Sequence, residues 1–455
     1  MASGRVDSFG VVAVAVWQGK FGVAQAERLL WRAGFGPRPG EAQALAKLGL
    51  RDAVHALTHP GAESLVGPAP HDENGYPLAP YDAWGHDHLW WLDRMIRTSR
   101  PLVERMALIW HDWFATSNDG VNSQRLMLNQ NGLFRQKGLG SFHDLLLDVT
   151  ADPAMLLWLN GGDNSKDSPN ENYGREMMEL FTLGHGSGYT EDDVRQQARA
   201  LTGFRYDWTQ DGPANFRYDA SYHDTGVKTI FGQSGHFKWQ DSCRLCVEHP
   251  AHATFFVEKL WSYFIPVQPD AVTQSALQQL YVASDYAIRP VVAAILKHPA
   301  LFDGPRLVKP PVVYTAGLLR RIRRGIDTTD WAWLDSMSGQ QLFYPPNVAG
   351  WDDSRWLDTA TWRGRWWIAQ CALNPYALDP EHAVKPYDAK KLLASAHRFW
   401  HEPQLGTPTR QALQTFAHRA LGDAAGTDWK EQQYPAMVAN ALRQLIAVSP
   451  ELQAA

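Results

Sequence analysis

The sequence predicts a mainly α protein: a large multi-helix body with a small β-hairpin-like excursion around residues 204–237. Three observations support this prediction. Apolar residues recur at helical spacings along most of the chain. Prolines, glycines and short polar side chains stand where helices are expected to begin and end. Residues 204–237 depart from that spacing and contain two short extended patterns, at 216–219 and 228–232.

In the first half of the chain, helices are expected wherever the apolar spacing of three and four persists between breakers. A loop rich in Pro, Gly, Asn and Asp spans 59–82, and Pro101 and Pro153 suit the first turn of a helix. The predicted helices cover 24–32, 41–58, 84–97, 102–114, 122–137, 141–150, 152–158 and 170–184.

Thr190 begins the next helix, because its side chain and that of Asp193 have the spacing of a capping box. That helix should end at Gly203, before the β excursion. Residues 344–362 are predicted to be irregular. Helical patterns are expected at 250–264, 270–282, 289–297, 308–323 and 385–453.

The chain is therefore divided into an N-terminal extension (1–23), a helical core (24–370) with the insertion 204–237, and a C-terminal helical region (371–455) packed on the core. No internal repeat interrupts this order. The run from Phe9 to Trp17 is too short and too weakly charged for a clear signal peptide.

Composition excludes some classes of function. A net charge of -5 over 455 residues argues against a nucleic-acid partner, which needs a basic surface. No apolar run reaches the roughly 18 residues of a transmembrane segment. The familiar signatures of serine hydrolases, zincins, P-loop enzymes and dinucleotide-binding proteins are missing from the sequence.

Aromatic residues are abundant, with 20 Trp in the chain. They indicate either a heavily aromatic core or stacking platforms for a ring-shaped ligand such as a sugar. The pairs Trp90-Trp91, Trp331-Trp333 and Trp366-Trp367 are the first places to look for such platforms.

Cys243 and Cys246 have a CxxC spacing, and His249 and His252 follow closely. This arrangement leaves three alternatives open: a zinc site, a redox pair or local disulfide, and unpaired thiols.

The stretch 170–184 carries the densest group of polar residues on an apolar helix. At helical spacing, Asn172, Arg175, Glu176 and Glu179 share one face. The paired carboxylates suit acid–base chemistry or a divalent cation. The alternative is a buried carboxylate–arginine network, for which Arg105, Arg135 and Arg175 are the available partners.

Two further groups are candidates. His111 and Asp112 end a very apolar helix, where a histidine also serves as a core residue. His223, Asp224 and Lys228 lie within six residues of each other in the β excursion and suit an anionic or hydroxylated ligand; the alternative is a turn held by Asp224.

The segment 345–351 (Pro-Pro-Asn-Val-Ala-Gly-Trp) predicts a rigid loop, in which Asn347 faces a ligand and Trp351 forms a pocket wall or fills the core.

Several of these motifs, in this order, resemble the DUF1800 family of bacterial proteins, which is named for having no known function. The resemblance rests on Glu104-Arg105, on 110–117 (WHDWFATS) and 152–156 (DPAML), and on the stretch 170–184. It continues through 188–190, 198–203, His223-Asp224 with Lys228, and 345–351, and covers roughly residues 24–370. The resemblance implies that the protein is exported, to the periplasm or out of the cell. It also implies a sulfatase- or phosphatase-like partner protein that is encoded nearby.

One position departs from the family pattern. Many relatives carry a second histidine two positions after the first, where this chain has Trp113. If a His-x-His pair binds metal elsewhere in the family, this chain has to bind it differently or not at all.

Together these features predict a hydrolase or lyase that acts on a glycan or other polar polymer, with a divalent cation as a possible cofactor and the metal itself unknown. The alternative is a non-catalytic accessory protein that binds a polysaccharide or a partner protein. The candidate catalytic residues are Glu176, Glu179, His111, Asp112 and Asp224. The candidate substrate-binding residues are Asn172, Arg175, His223, Lys228, Asn347 and Trp351.

Overall fold

A computed structural model describes residues 13–210, 212–377, 388–422 and 434–455. Within these ranges the chain forms 23 α-helices and two small antiparallel sheets of two strands each. The mainly α prediction is confirmed. Most of the predicted N-terminal extension (1–12) and two parts of the predicted C-terminal region (378–387 and 423–433) lie outside the described residues.

Short helices joined by tight turns make up the first part of the chain, and most begin at a glycine, proline or capping polar residue. They are α1 (Val23–Arg32), α2 (Glu41–Ala46), α3 (Leu50–Thr58), α4 (His86–Arg97), α5 (Pro101–Trp113), α6 (Asn118–Val121), α7 (Gln124–Lys137), α8 (Phe142–Thr150) and α9 (Pro153–Trp158).

The middle of the chain contains α10 (Glu171–Glu176), which continues as a π-helix (Met177–Thr182), and α11 (Glu191–Ala200). Strands β1 (Phe204–Thr209) and β2 (Gly212–Tyr218) form a hairpin with a bulge between Arg205 and Asp207. Strands β3 (Lys228–Ile230) and β4 (Gln233–Gly235) form a smaller hairpin.

Helices again make up the rest of the described chain. They are α12 (Trp239–Glu248), α13 (His252–Ser262), α14 (Ala271–Ala283), α15 (Ile288–Ile295), α16 (Pro299–Asp303), α17 (Pro311–Ile322), α18 (Asp330–Met337), α19 (Thr359–Leu373), α20 (Ala389–Phe399), α21 (Thr407–Gly422), α22 (Tyr434–Ala447) and α23 (Pro450–Gln453).

The predicted and observed elements differ in several places. The helix predicted over 41–58 is two helices, because Gly49 between them has a φ of 78°, which a helix does not tolerate. Helices α12 and α18 are present where no helix was predicted. Helix α19 begins at Thr359, inside the segment predicted to be irregular, because Asp358 accepts hydrogen bonds from its first turn.

A single large hydrophobic cluster extends from Ala26 in α1 to Leu452 in α23. Six indoles in it are fully buried, which confirms the aromatic-core interpretation for these side chains; they are those of Trp91, Trp110, Trp113, Trp261, Trp331 and Trp400. The C-terminal helices share this cluster, since α22 packs on α19 and the Trp400 indole donates to the Arg443 carbonyl at 2.9 Å. The division into a core and a C-terminal region stays a prediction.

A buried ion-pair network joins α4, α5 and α7. Glu104 is fully buried and accepts hydrogen bonds from the Arg135 guanidinium at 2.6 and 3.0 Å, from Arg94 at 3.1 Å and from the Trp91 indole at 3.1 Å. Burial alone would raise the pKa of Glu104, but the two arginines outweigh it and lower that pKa. A buried carboxylate–arginine network was the alternative interpretation of 170–184. Such a network is present at Glu104 instead, and Arg135, one of the three arginines named for it, is a partner.

Candidate functional site

Asp112, near the end of α5, is the point at which three distant segments meet. Its Oδ2 accepts a hydrogen bond from the Tyr263 hydroxyl at 2.6 Å, and its Oδ1 accepts one from the Trp351 backbone N–H at 2.9 Å. Burial raises the pKa of Asp112, and these two donors act in the opposite direction. The carboxylate is therefore fixed in position by groups more than 100 residues away in sequence.

The loop 345–351 is shaped to reach this carboxylate. The Asn347 side chain accepts a hydrogen bond from the Ala349 N–H at 2.8 Å, which makes a tight turn. Gly350 follows with a φ of 91°, and a Cβ at that position would overlap Asp112 Oδ1. Only glycine fits there, because both the left-handed backbone and the close approach to Asp112 exclude a side chain.

Lys259 lies on α13, one helical turn before Tyr263, so the two side chains share a face. Its ammonium donates to the Leu180 carbonyl at 2.9 Å and sits 4.6 Å from the centre of the Trp113 ring. Burial lowers the pKa of Lys259 to about 8, and the negative charge of Asp112 opposes this shift. With a pKa of about 8, roughly a tenth of Lys259 is uncharged at pH 7 and about half at pH 8.

Arg105 lies on α5 two turns before Asp112, on the same face. Only 3% of its surface is exposed, and its Nε and one Nη have no hydrogen-bond partner among the described residues. Burial lowers the pKa of Arg105 to about 10, opposed by Tyr263 and Asp112. The Trp351 indole N–H is also buried without a partner. Unsatisfied buried donors are uncommon in folded proteins and indicate strain or a functional site.

We refer to Asp112, Lys259, Tyr263 and Trp351, with Arg105 behind them, as the Asp112 cluster. The first four side chains are only partly buried, so the cluster reaches solvent. The exposed Asp353 stands near its rim, since its charge raises the pKa values of both Asp112 and Tyr263.

The π-helix forms one side of this region. Its wider turn pairs the Leu183 N–H with the Met178 carbonyl at 2.8 Å, and the carbonyls of Leu180, Phe181 and Thr182 at its C-terminal end need partners from elsewhere. These partners come from outside the helix: Lys259 binds the Leu180 carbonyl, the Trp113 indole binds that of Phe181 at 3.0 Å, and the His252 ring binds that of Thr182 at 2.8 Å. Trp113 therefore supports the π-helix.

Glu176 and Glu179 lie at the start of the π-helix and inside it, both partly exposed. Glu179 pairs with the exposed His185 at 2.8 Å. Glu176 has no hydrogen bond or ion pair with a described side chain, and burial, followed by the charge of Glu179, raises its pKa. The two carboxylates form a second, separate acidic group whose predicted catalytic role stays a prediction.

The polar neighbours of this pair are engaged in surface contacts. Arg175 binds Glu171 at 3.2 Å and Glu191 at 2.7 Å. Asn172 is exposed, and its amide reaches the Leu159 carbonyl at 3.4 Å. Neither contact joins them to the Asp112 cluster.

His111 faces the core. Its Nε2 accepts a hydrogen bond from the Phe343 N–H at 3.1 Å, and its ring packs against Trp91 and Trp351. Burial lowers its pKa to about 3, so the imidazole stays neutral and supports the loop behind Asp112.

Lys228 binds Asp224, and both Asp224 and His223 bind residues at or just after the end of α11. Asp224 pairs with Arg199 at 2.7 Å, His223 Nδ1 lies 3.1 Å from the Thr202 hydroxyl, and the Lys228 ammonium donates to the carbonyls of Asp224 and Gly226. These contacts form a turn held by Asp224, which was the alternative to a ligand site in the interpretation of the sequence. A ligand-binding role for the three residues stays a prediction.

No disulfide joins the cysteines of the CxxC motif among the described residues. Cys243, Cys246 and Cys371 are all free and buried. Over the described part of the chain, no group of three or more His, Cys, Asp or Glu side chains is arranged to hold a metal ion.

Lys259 and Tyr263 were missed at the level of sequence because they lie on an ordinary amphipathic helix about 150 residues from Asp112. Their i, i+4 spacing, and the i, i+7 spacing of Arg105 and Asp112, were the available signals. Only the fold brings the two helices together.

No helix among the described residues is both long and apolar enough to span a membrane. Comparison with curated proteins and with solved structures finds no significant match. The family model described as "Protein of unknown function (DUF1800)" matches residues 28–454, nearly the whole sequence. On that match, the chain belongs to the DUF1800 family.

Proposed function

We propose that the protein is a hydrolase or lyase that acts on a glycan or other polar polymer, and that the Asp112 cluster is its acid–base site. The observation that supports this most directly is Lys259, a lysine with a pKa lowered to about 8 beside a fixed carboxylate and a tyrosine at the protein surface. Titratable groups with strongly shifted pKa values concentrate at functional sites.

Lys259 is the proton-transfer group in this proposal. A base is most effective when its pKa lies near the working pH, because enough of it is deprotonated without loss of basicity. The uncharged amine accepts a proton from water or from a substrate carbon, and the ammonium returns it to the oxygen of the leaving group. The Trp113 ring and the Leu180 carbonyl hold the amine in place on its buried side.

Asp112 and Tyr263 hold the reacting groups in position and do not themselves transfer protons. Tyr263 keeps its proton because burial raises its pKa well above the ordinary value. Its hydroxyl donates a hydrogen bond of 2.6 Å to the Asp112 carboxylate. Arg105 supplies a buried positive charge behind them, which favours negative charge developing on a substrate oxygen.

The test is a panel of neutral and acidic polysaccharides incubated with the wild type, Lys259→Met and Lys259→Arg. New reducing ends without new ultraviolet absorbance identify hydrolysis, whereas absorbance from an unsaturated product identifies elimination. Both variants should lose activity by about 100-fold or more, the usual contribution of a general acid or base. Arginine keeps the charge but does not deprotonate, so Lys259→Arg should not restore the activity.

Lys137→Met is the matched control, since Lys137 forms a surface pair with Asp148 at 3.0 Å and lies outside the cluster. If Lys259→Met retains wild-type activity, the acid–base site lies elsewhere. If the wild type releases neither product from any polymer, the enzyme proposal fails and the binding alternative takes its place.

A specific surface feature favours that alternative, a polysaccharide-binding role. Trp333 is half exposed and stacks on Trp367 with ring centres 5.4 Å apart, and Trp366, which precedes Trp367 in sequence, is 38% exposed. Exposed indoles of this kind bind sugar rings by stacking. Trp333→Ala should weaken retention in a polysaccharide-containing gel and leave any Lys259-dependent turnover of short substrates intact. Unchanged retention would remove this patch from consideration.

Export and a sulfatase- or phosphatase-like partner, both implied by family resemblance, fit a substrate that is an extracellular polymer. Fractionation of cells that express the full chain tests export directly. Recovery in the cytoplasm alone would exclude it.

A further inference from the structure

A concave region that shares no residue with the Asp112 cluster carries an excess of positive charge. It is a cavity of about 270 Å³ between α1, the segment 304–309, α17 and the C-terminal residues. Its cationic side chains are those of Arg28, Arg306, Lys309 and Arg321, and its acidic ones are those of Glu27 and Glu451. This volume is close to the lower limit of small-molecule sites.

The two carboxylates are already engaged. Glu27 pairs with Arg321. Glu451 accepts hydrogen bonds from the Gly406 N–H at 2.6 Å and from the Thr409 hydroxyl at 3.0 Å. Among the described residues, no carboxylate lies within ion-pair distance of Arg28, Arg306 or Lys309, so three of the four cations have no anionic partner.

Lys309 is the innermost of these cations, with 4% of its surface exposed. Its ammonium donates to the Leu452 carbonyl at 2.7 Å and lies 3.6 Å from the centre of the Trp31 ring. Burial, followed by the charges of Arg321, Arg365 and Arg306, lowers the pKa of Lys309 well below its ordinary value, and Glu27 opposes them. A buried cation without an anion is costly, and an anion bound in the cavity would offset that cost.

Arg28 presents a second set of donors. One terminal nitrogen binds the carbonyls of Gly304 and Pro305 at 2.6 and 2.9 Å, which fixes the guanidinium at the cavity wall. Its buried Nε has no partner, and neither has that of Arg321. Burial and Arg306 lower the pKa of Arg28, which indicates mutual repulsion of the cations. Arg306 is exposed at the mouth of the cavity, where it can approach a ligand from solvent.

We propose that this cavity binds a small oxyanion-bearing molecule, with Arg28, Arg306 and Lys309 as its anion ligands. Phosphate and carboxylate groups share the chemistry that three converging cations recognise. The ligand is therefore the size of a sugar phosphate or a small organic acid, and its binding does not depend on the activity proposed for the Asp112 cluster.

The experiment measures binding of inorganic phosphate, and separately of malonate, to the full chain by titration calorimetry at constant ionic strength. Saturable binding of either probe supports the proposal, and the preferred probe distinguishes a phosphate ligand from a carboxylate ligand. Arg306→Gln should weaken binding by about tenfold or more, as loss of one charged donor does. Arg195→Gln, at a surface arginine paired with Asp192, should bind as the wild type does.

Lys309→Met is a second, internal variant that keeps the length of the side chain and removes the buried charge. It should fold and bind neither probe. The proposal is overturned if the wild type binds neither phosphate nor malonate, or if Arg306→Gln and Lys309→Met both bind with wild-type affinity.

Discussion

At the scale of single residues, Glu104 and Glu176 show how the surroundings of a carboxylate decide its contribution. Glu104 is fully buried and bound by Arg135 and Arg94, which lower its pKa against the effect of burial. Glu176 is half-buried beside Glu179, without an arginine partner among the described side chains, and its pKa is raised. The first carboxylate stabilises the fold when charged, whereas the second is less costly when neutral.

Glutamine substitutions at these two positions should change the stability by very different amounts. Glu104→Gln leaves Arg135 and Arg94 uncompensated in the interior and should cost about 3–5 kcal/mol. Glu176→Gln removes repulsion from Glu179 and should change the free energy of unfolding by no more than about 0.5 kcal/mol. Urea unfolding of both variants and the wild type measures this. A large loss in Glu176→Gln would mean that Glu176 has a structural partner.

The pH dependence follows from the direction of each shift. Stability from Glu104 is present above the pKa of the unfolded chain, about 4.3, and is lost as the pH falls through the lowered folded value. Glu176 has the opposite sign, so the stability of the wild type relative to Glu176→Gln should decline as the pH rises from about 4 to 7. A constant difference over that range would contradict the raised pKa.

Lys259 can be titrated without a known substrate. Competitive labelling of amines at a series of pH values, read by mass spectrometry, should give a midpoint of about 8 for Lys259. Lys137 is the internal reference, because Asp148 raises its pKa above the ordinary value. A midpoint for Lys259 as high as that of Lys137 would remove the main support for an acid–base role.

Local patterns could identify only part of the candidate site. Asp112, Asn347 and Trp351 were found because each belongs to a distinctive run of polar, proline or aromatic residues. The partners of Asp112 could not be found in the same way, since a lysine and a tyrosine on an amphipathic helix have many structural roles. The pKa of Lys259 depends on burial against Trp113, which is a property of the packed fold.

At the scale of elements, the π-helix connects the polar stretch 170–184 to the Asp112 cluster. Its carbonyls are bound by side chains from α5 and α13, the helices that also supply Asp112, Lys259 and Tyr263. Like the last carbonyls of any helix, those of Phe181 and Thr182 lack a partner within the element, and the side chains of Trp113 and His252 satisfy them. These contacts fix α5 and α13 against the C-terminal end of the π-helix.

Trp113→Phe should destabilise the π-helix selectively. The change removes the indole N–H and leaves the buried Phe181 carbonyl unpaired, at a cost of about 1–3 kcal/mol. Trp110→Phe is the matched control, because the buried Trp110 indole donates to the Gly138 carbonyl at 2.8 Å, away from the π-helix. Amide hydrogen exchange over 177–183 should rise in Trp113→Phe and not in Trp110→Phe. Equal exchange in both variants would show that Trp113 does not hold this element.

Element prediction succeeded where a start signal precedes apolar residues at helical spacing: Pro101 in α5, and the capping side chains of Ser123 and Thr190 in α7 and α11. It was less accurate where the fold overrides a local pattern. The π-helix depends on donors from elsewhere in the chain, and α18 is only eight residues long, too short for its periodicity to stand out.

At the scale of the whole molecule, one hydrophobic cluster includes both the first and the last described helices. Trp400 is central to this continuity. It is fully buried, its indole donates to the Arg443 carbonyl, and its own carbonyl accepts from Arg321 at 2.7 Å. Trp400 therefore connects α17 to the C-terminal helices, and the cavity lined by Arg321 depends on the same contact.

Because the core is shared, the protein should unfold in a single calorimetric transition rather than in separate steps for 24–370 and 371–455. Trp400→Ala should lower the free energy of unfolding by about 3–5 kcal/mol, the usual cost of removing a buried indole. Trp84→Ala, at an indole that is 69% exposed, should change it by no more than about 0.5 kcal/mol. Two resolved transitions, only one of them sensitive to Trp400→Ala, would show that the C-terminal region is an independent unit. A single transition that moves as a whole would show that the anion cavity and the Asp112 cluster are held by one cooperative fold.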